Sequence, residues 1–267
     1  MANAGEAFKA GDLAGAVTAA QAAVKAAPRD SGARWLLAEL MLFAGDAERA
    51  DRMLDAAVLD DPSPAVMEFR KLLRAEVIRQ QVWTEGRAPK FSGDDATPAQ
   101  SAAIRAAVLA RAGAPEEAAA EAATAEQARP MRAGEAELAD GTTMAFDDFR
   151  DADDLMAPMV EVLTTNGDHI LVPVERIVAL DFDAPRRPRD LAWRRTTIEL
   201  NDGTEGVVYM PTIYPGAAGQ PDPIRLGRAT EWQEGAGPVR GQGQRLFLIG
   251  EEAVALCDIA AIRFAAP

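Results

Sequence analysis

Glycine and proline recur at a fixed spacing in the first half of the chain. Gly11 is followed by Gly45, and Pro28 by Pro62, in both cases after 34 residues. Gly113 lies two further periods along, and a proline again follows it after 17 residues. This spacing restricts the first half to a repeated unit of about 34 residues, in which each glycine and each proline has a fixed structural role.

A period of 34 residues is typical of the tetratricopeptide (TPR) repeat, a helix–turn–helix unit. Glycine ends the first helix in the left-handed conformation, and proline ends the second. Small residues at Ala16, Ala50 and Ala118 keep the same phase and let the paired helices approach closely. We therefore expect a TPR-like helical superhelix over residues 1–130, with a longer helix over 64–86 followed by a loop. An alanine-rich bundle with chance spacing is the alternative.

The second half has the pattern of short β-strands. Met159–Thr164 and His169–Val174 flank an Asn-Gly turn, and Thr196–Leu200 and Glu205–Pro211 flank an Asn-Asp-Gly turn. Asn-Gly supplies the positive φ angles of a tight hairpin. We expect a small antiparallel, barrel-like β-domain over residues 159–267. The fold class is thus α+β and multidomain, with an acidic, irregular or briefly helical linker over 131–158.

Charge and composition exclude several classes of function. The 267 residues contain 28 basic and 42 acidic side chains, for a net charge of −14. Such a chain repels phosphate backbones, so we expect no nucleic-acid partner. One histidine and one cysteine leave no disulfide framework and no Cys/His zinc site, and we expect no cofactor. There is neither a leader pattern nor a membrane-spanning stretch, which predicts a cytoplasmic protein without membrane insertion.

Few residues suggest chemistry. His169 is the only histidine, and its place beside a hairpin turn favours a half-exposed strand residue over a general base. The acidic run Asp147–Asp154 favours a solvated loop in which Asp151 and Asp154 accept hydrogen bonds, for example from an arginine. The same run, together with Glu161, leaves a metal-dependent hydrolase open as an alternative.

Three other segments are ambiguous between binding and packing. Arg228, Glu231 and Trp232 fit either a partner-facing patch or an internal contact. Tyr214 and Pro215 belong to a rigid turn. The short basic stretch 186–189 is interrupted by proline and suits a salt bridge to the acidic loop better than nucleic acid.

Five separated motifs of the second half resemble one known family. They are Phe149–Ile177, Arg189–Leu200, Pro211–Gly216, Arg225–Trp232 and Gly241–Phe247. In this order they are similar to the hallmark regions of the ImpE/TagJ (SciE-type) family. The N-terminal helical sequence is also typical of it, so the resemblance covers nearly the whole chain.

The resemblance implies a non-enzymatic accessory protein of the bacterial type VI secretion system. Its implied partners are a helix of the small contractile-sheath subunit and the AAA+ disassembly ATPase ClpV. A TPR chaperone for a secreted effector is a further alternative, and the oligomeric state stays open. The candidate partner-binding or motif residues are Asp151, Asp154, Glu161, Pro173, Arg176, Trp193, Tyr214, Pro215, Arg228, Glu231 and Trp232.

Overall fold

The computed structural model describes residues 3–58, 63–233 and 235–266. The helix end predicted at Pro62 lies outside the described residues. The helices are α1 (Ala4–Ala10), α2 (Leu13–Ala26), α3 (Ser31–Phe43), α4 (Ala47–Val58), α5 (Pro64–Gln80), α6 (Pro98–Arg111), α7 (Pro115–Ala128) and the single turn α8 (Asp222–Arg225).

The helical half follows the 34-residue period. Gly11, Gly45 and Gly113 end α1, α3 and α6 with φ angles of +88°, +77° and +76°, which side chains resist. Ala16 and Ala50 are fully buried between paired helices. Glycine therefore has the predicted role, and the helical half is TPR-like as expected.

The longer third unit departs from the repeat in two ways. Helix α5 continues into a π-helical turn at Gln81–Glu85, which together span most of the predicted helix. The following segment is not only a loop, because the strand β1 (Lys90–Phe91) pairs in parallel with a strand of the second half. A strand of two residues has no hydrophobic period, so the sequence could not reveal it.

The strands of the second half form three sheets. They are β2 (Gly134–Leu138), β3 (Thr143–Phe146), β4 (Phe149–Asp151), β5 (Met159–Thr164), β6 (His169–Pro173), β7 (Ile177–Phe182), β8 (Trp193–Leu200), β9 (Glu205–Pro211), β10 (Thr230–Gln233), β11 (Arg240–Gly243), β12 (Leu246–Ile249), β13 (Glu252–Ala255) and β14 (Ile259–Phe264). One sheet has the order β1-β6-β5-β9-β8-β7-β14-β2-β3, a second has β13-β12-β4, and a third pairs β10 with β11.

The expectation of an irregular or briefly helical segment at Gly134–Asp154 is wrong. This segment contains β2, β3 and β4, and β2 pairs along β14. In β2 only Ala136 is fully buried, between Glu135 and Glu137, so its alternation is too weak to distinguish a strand from a loop. The division of the chain at residues 130 and 158 stays a prediction.

Two similar units meet within the large sheet, where β7 pairs with β14. In each unit a strand, a 3-10 turn and a second strand follow one another: β6, Val174–Arg176 and β7 in one, β13, Leu256–Asp258 and β14 in the other. Corresponding residues are 82 positions apart, and Leu180 pairs directly with Ile262 in antiparallel register. Such pairing places a local twofold axis between β7 and β14.

Three hydrophobic cores hold these elements together. One lies within the sheets and includes Phe149, Leu180 and Ile262. The second joins the first five helices to Trp193 and Tyr209 of the large sheet. The third joins α6 and α7 to Tyr214 and neighbouring sheet residues. The α+β fold class is confirmed, and the helical half packs on one face of a larger sheet than the small β-domain predicted.

Candidate functional site

The alternation of β5 places a carboxylate between the two halves. Val160 and Val162 point into the core of the sheets, whereas Met159 and Leu163 point toward the helices. Glu161 shares the helical side and is fully buried there. A charged residue in this position needs partners, because an isolated buried carboxylate is strongly disfavoured.

Residues on one face of α5 supply some of the partners of Glu161. Phe69 and Leu73 pack in the core that joins the halves, and Glu76 and Arg79 continue the same stripe one and two turns later. Trp83 follows on the π-helical turn. The side chains of Glu76 and Arg79 are almost completely buried, with 6% and 2% of their surface exposed.

Glu161 is the centre of a buried cluster of polar side chains. Its Oε1 accepts hydrogen bonds from Trp83 Nε1 at 2.6 Å and Arg79 Nε at 3.1 Å, and lies 2.9 Å from His169 Nε2. Its Oε2 accepts a bond from Arg245 Nη2. Because a carboxylate has about four acceptor positions, these contacts occupy Glu161 fully. We call Glu161, Arg79, Arg245, His169, Trp83 and Glu76 the Glu161 cluster.

The cluster ties the halves together through Arg79 and Glu76 of α5. Its Nη1 donates to Glu76 Oε1 at 2.8 Å, and its Nη2 donates to the carbonyl oxygen of Ile213 at 2.6 Å. Glu76 also accepts a bond from Trp193 Nε1 at 3.1 Å. The cluster thus joins one helix to three separate segments of the second half.

Asp151 connects the Glu161 cluster to Tyr214. Its Oδ1 accepts a bond from the Tyr214 hydroxyl at 2.8 Å, and its Oδ2 lies 3.6 Å from Arg245 Nη1. The neighbouring Asp153 accepts a bond from Gly241 N at 3.0 Å. Gly241 has no room for a side chain, since a Cβ atom there would lie 2.2 Å from the Tyr214 ring. Gly241 is a residue of β11.

Burial and the neighbouring arginines shift the pKa values of Glu161 and Asp151 in opposite directions. Burial alone would raise the pKa of Glu161, but Arg79 and Arg245 lower this pKa well below its usual range. Burial raises the pKa of Asp151 to about 7, and Arg245 offsets only part of that effect. Burial also raises the pKa of the Tyr214 hydroxyl, and the nearby Asp151 raises it further. Glu161 therefore acts as a permanent counter-ion, whereas Asp151 titrates near neutral pH.

The side chains of the acidic run Asp147–Asp154 have different partners and do not form one site. Asp148 pairs with Arg129 through its Oδ2, at 2.5 Å from Nη2. Asp154 accepts bonds from Arg150 Nη2 at 2.6 Å and Val239 N at 2.8 Å, so the expected arginine contact is present. Within the described ranges, no three His, Cys, Asp or Glu side chains converge to hold a metal ion.

His169 is not the half-exposed residue that its hairpin position suggested. It is buried, with 1% of its surface exposed, because α5 covers this face of the hairpin. A Cβ atom at the hairpin glycine, Gly167, would lie 3.3 Å from the carbonyl oxygen of Lys71. The helical half thus buries His169 and partly covers the turn before it.

Four other motif residues have structural contacts. Trp193 lies in the core that joins the halves, and Pro173 and Pro215 are buried. Arg176 donates from Nη1 to the carbonyl oxygen of Ser92 at 2.8 Å, so it secures the loop that carries β1.

In the Arg225–Trp232 motif, some residues pack inside the molecule and others are exposed. Arg228 makes an internal contact: it donates to the carbonyl oxygens of Phe8 at 2.6 Å and Lys9 at 3.0 Å, so it caps the C-terminal end of α1. Glu231 is exposed. Trp232 keeps 38% of its surface exposed and packs edge-on against the Tyr214 ring, with centroids 6.2 Å apart.

A cleft of about 510 Å³ opens beside the Glu161 cluster, between the helical half and the sheet. Its walls include Leu42, Phe43, Ala192 and Ile213. Its lining contains four carboxylate side chains and two guanidinium groups. The carboxylates belong to Asp46, Glu48, Glu76 and Glu85, and the guanidinium groups to Arg79 and Arg225. We call it the junction cleft. Its shape and chemistry suit an amphipathic segment with a positive charge.

Sequence motifs indicate the Glu161 cluster only indirectly. They single out Glu161 as a candidate, but not Arg79, Arg245 or Glu76. Each of them is a charge within an otherwise apolar helix stripe or next to an apolar strand, a pattern that signals a buried pair. Their pairing could not be read, because Arg79 and Glu161 are 82 residues apart in sequence.

Comparison with known proteins gives the family. The family model described as ImpE protein matches residues 143–263. The type VI secretion system accessory component TagJ of Pseudomonas aeruginosa is 31% identical to this chain, over 97% of the chain and 90% of that protein. The chain belongs to the ImpE/TagJ family.

Two further comparisons concern the helical half and the whole of this ImpE/TagJ chain. A tetratricopeptide repeat model matches residues 7–72, in agreement with the 34-residue period. The crystal structure of a protein from Vibrio parahaemolyticus superposes with a TM-score of 0.89 and 25% identity, covering 99% of this chain and 98% of that one. Both halves and their packing are therefore shared with that protein. None of the described helices is long and apolar enough to cross a membrane.

Proposed function

We propose that this chain is a non-enzymatic adaptor of the type VI secretion system that binds a helix of the small sheath subunit. Its relative in Pseudomonas aeruginosa is an accessory component of that system. TPR-like repeats commonly present a concave surface to a partner segment. The observation that carries the proposal is the junction cleft, a partly apolar groove between the two halves.

The chemistry of the cleft defines the partner helix that it would accept. The apolar wall, with Phe43 and Ile213, suits residues spaced three and four apart on one helix face. The excess of carboxylates, with Glu48 and Glu85, suits lysine or arginine beside that face. We therefore expect a partner helix that carries an apolar stripe flanked by positive charges.

Binding of the sheath subunit would assist its disassembly by proximity. An adaptor that holds the sheath and also contacts the ATPase ClpV raises the local concentration of one near the other. This role requires no bound nucleotide and no reaction by the chain itself. It also places the chain in the cytoplasm.

The test is retention of the sheath by the purified chain. The tagged full-length chain is mixed with the co-expressed sheath pair in nucleotide-free buffer, and the retained proteins are measured after washing. We expect the small sheath subunit to be retained in a stoichiometric amount. No retention above that of an unrelated tagged TPR protein would overturn the proposal.

A further inference from the structure

A second cleft lies on the connection between β7 and β8, and none of the side chains of the Glu161 cluster lines it. It has a volume of about 260 Å³. Four arginines and two aspartates line it, together with Ala184 and Tyr209. The charged residues are Arg186, Arg187, Arg189, Arg195, Asp183 and Asp190. We call it the arginine cleft. In a chain with a net charge of −14, this concentration of guanidinium groups stands out.

Arg189 is built into the wall of this cleft. Only 9% of its surface is exposed, and its guanidinium carbon lies 5.3 Å from the Trp35 ring centroid and 4.9 Å from that of Phe69. Its Nε and Nη1 are buried and have no hydrogen-bond partner among the described residues, although Asp190 Oδ1 is 3.8 Å from Nε. A buried arginine with unused donors is costly unless anions come close to it, and Glu39 and Asp190 supply only part of that negative charge, without a hydrogen bond to Nε or Nη1.

The surrounding residues fix the arginines at the opening of the cleft. Asp190 Oδ2 accepts bonds from the backbone N–H groups of Arg186 at 2.9 Å and Arg187 at 3.2 Å. Both of these side chains are exposed, and none of the described carboxylates lies within ion-pair distance of either guanidinium. Arg195 is already paired with Asp183, at 2.6 Å. Arg186 and Arg187 thus provide the accessible positive charge.

We propose that the arginine cleft binds carboxylate side chains of an acidic segment of a partner protein. Guanidinium groups bind carboxylates through charge-assisted hydrogen bonds, and a stacked arginine is pre-organised for this. The two aspartates in the wall reduce the positive charge, which favours singly charged carboxylates over a doubly charged phosphate. The acidic surface elsewhere on the chain repels such a segment and directs it to this cleft.

This site is separate from the junction cleft. Arg189 and Asp190 line the arginine cleft, whereas Ala192 and Trp193, a few residues further, line the junction cleft. The two clefts have opposite charge preferences. The inference therefore goes beyond the proposed sheath contact and does not depend on it.

The experiment uses a fluorescently labelled hexaglutamate peptide with blocked ends and the full-length chain, measured by fluorescence anisotropy at low salt. We expect saturable binding that weakens with salt and falls at least about tenfold in the double variant Arg186→Gln/Arg187→Gln. The matched control is Arg263→Gln, because Arg263 forms an exposed pair with Asp181 in the same sheet but does not line the cleft. This control should bind within about twofold of the wild type.

Any of four results would overturn the proposal. The first three are the absence of saturable binding, equal binding by the double variant, and equal binding of a hexaglutamine peptide. Displacement of the peptide by inorganic phosphate at a lower concentration than by unlabelled hexaglutamate would also contradict it, since the cleft would then prefer phosphate. Thermal melting of each variant confirms folding, and both substituted side chains are exposed, so the double variant should fold normally.

Discussion

Glu161 shows how one residue can hold two halves of a chain together. Its carboxylate lies in the interior and accepts bonds from side chains of α5, β6 and the residue that precedes β12. A buried ion pair adds little stability compared with well-packed apolar residues, but removing one partner is costly. The charge at Glu161 therefore specifies how the halves pack rather than adding much to the total stability.

Substitution of Glu161 by Gln keeps the size of the side chain but removes its charge. Arg79 and Arg245 then lose their shared counter-ion in the interior, and we expect a loss of about 3–5 kcal/mol in the free energy of unfolding. Urea denaturation followed by circular dichroism measures this loss. Glu231→Gln is the control, since Glu231 is exposed and its substitution should change the stability by less than about 0.5 kcal/mol. A similar effect of both variants would show that the cluster does not stabilise the fold.

Asp151 should give the stability a dependence on pH. Its pKa is raised to about 7 in the folded chain, above the usual value of 3.8, so between these values the folded state binds more protons than the unfolded state. Stability therefore falls as the pH rises through this window. The variant Asp151→Asn has no titrating group at this position, so this pH dependence is absent from its stability. The melting temperature of the variant minus that of the wild type should therefore increase from pH 5 to about 7 and then level off. Parallel melting profiles from pH 5 to 8 would contradict this assignment.

At the scale of elements, the first helix depends on the second half of the chain. Helix α1 has seven residues, too few to be stable alone. Arg228 caps its last carbonyl groups, and Asp222 Oδ2 accepts a bond from Leu13 N at the start of α2 at 3.0 Å. The segment between β9 and β10 thus acts as a strap across the first repeat.

Replacement of Arg228 by Met keeps most of the packing against Phe8 and removes the charged cap. We expect a loss of about 1–2 kcal/mol in the local stability of α1, because its C-terminal carbonyl groups lose a charged donor. Hydrogen exchange of the amides of Gly11 and Asp12 should become faster while exchange in β5 stays unchanged. Arg263→Met, which removes an exposed ion pair elsewhere, is the matched control and should leave both regions unchanged. Equal exchange in the two variants would show that the strap does not hold α1.

The elements that could be predicted are those with a strong local signal. Gly11, Gly45 and Gly113 marked the helix ends, and Asn166-Gly167 marked the first hairpin. The strand β2 was missed because its glutamates face outward near the margin of the sheet, and β1 because two residues have no period. Local sequence thus predicts an element only where its own side chains are patterned.

At the scale of the whole molecule, the contacts that join the halves could not be predicted. The fold class followed from the change of period between the two halves. The strap and the contacts of the Glu161 cluster that join the halves, by contrast, depend on residues 78 to 220 positions apart. By sequence alone, Glu161, Trp193 and Arg228 are candidate partner-binding or motif residues, yet all three are engaged inside the molecule. The surface that they support, the junction cleft, is formed only when both halves pack together.

The central claim is that a helix of the small sheath subunit lies in the junction cleft. Titration calorimetry of that helix, as a synthetic peptide, into the full-length chain tests it directly. Thr84 lines this cleft and is exposed, with its hydroxyl bonded to the carbonyl oxygen four residues earlier. Thr124 on α7 makes the same bond but lies outside the cleft, so Thr124→Trp is the matched control for Thr84→Trp.

We expect saturable binding by the wild type and by Thr124→Trp, and a loss of at least about tenfold in affinity for Thr84→Trp, because the indole occupies space that the helix needs. Equal affinity of the two variants would contradict the position of the helix in the cleft. The absence of binding to the wild-type chain would contradict the claim itself.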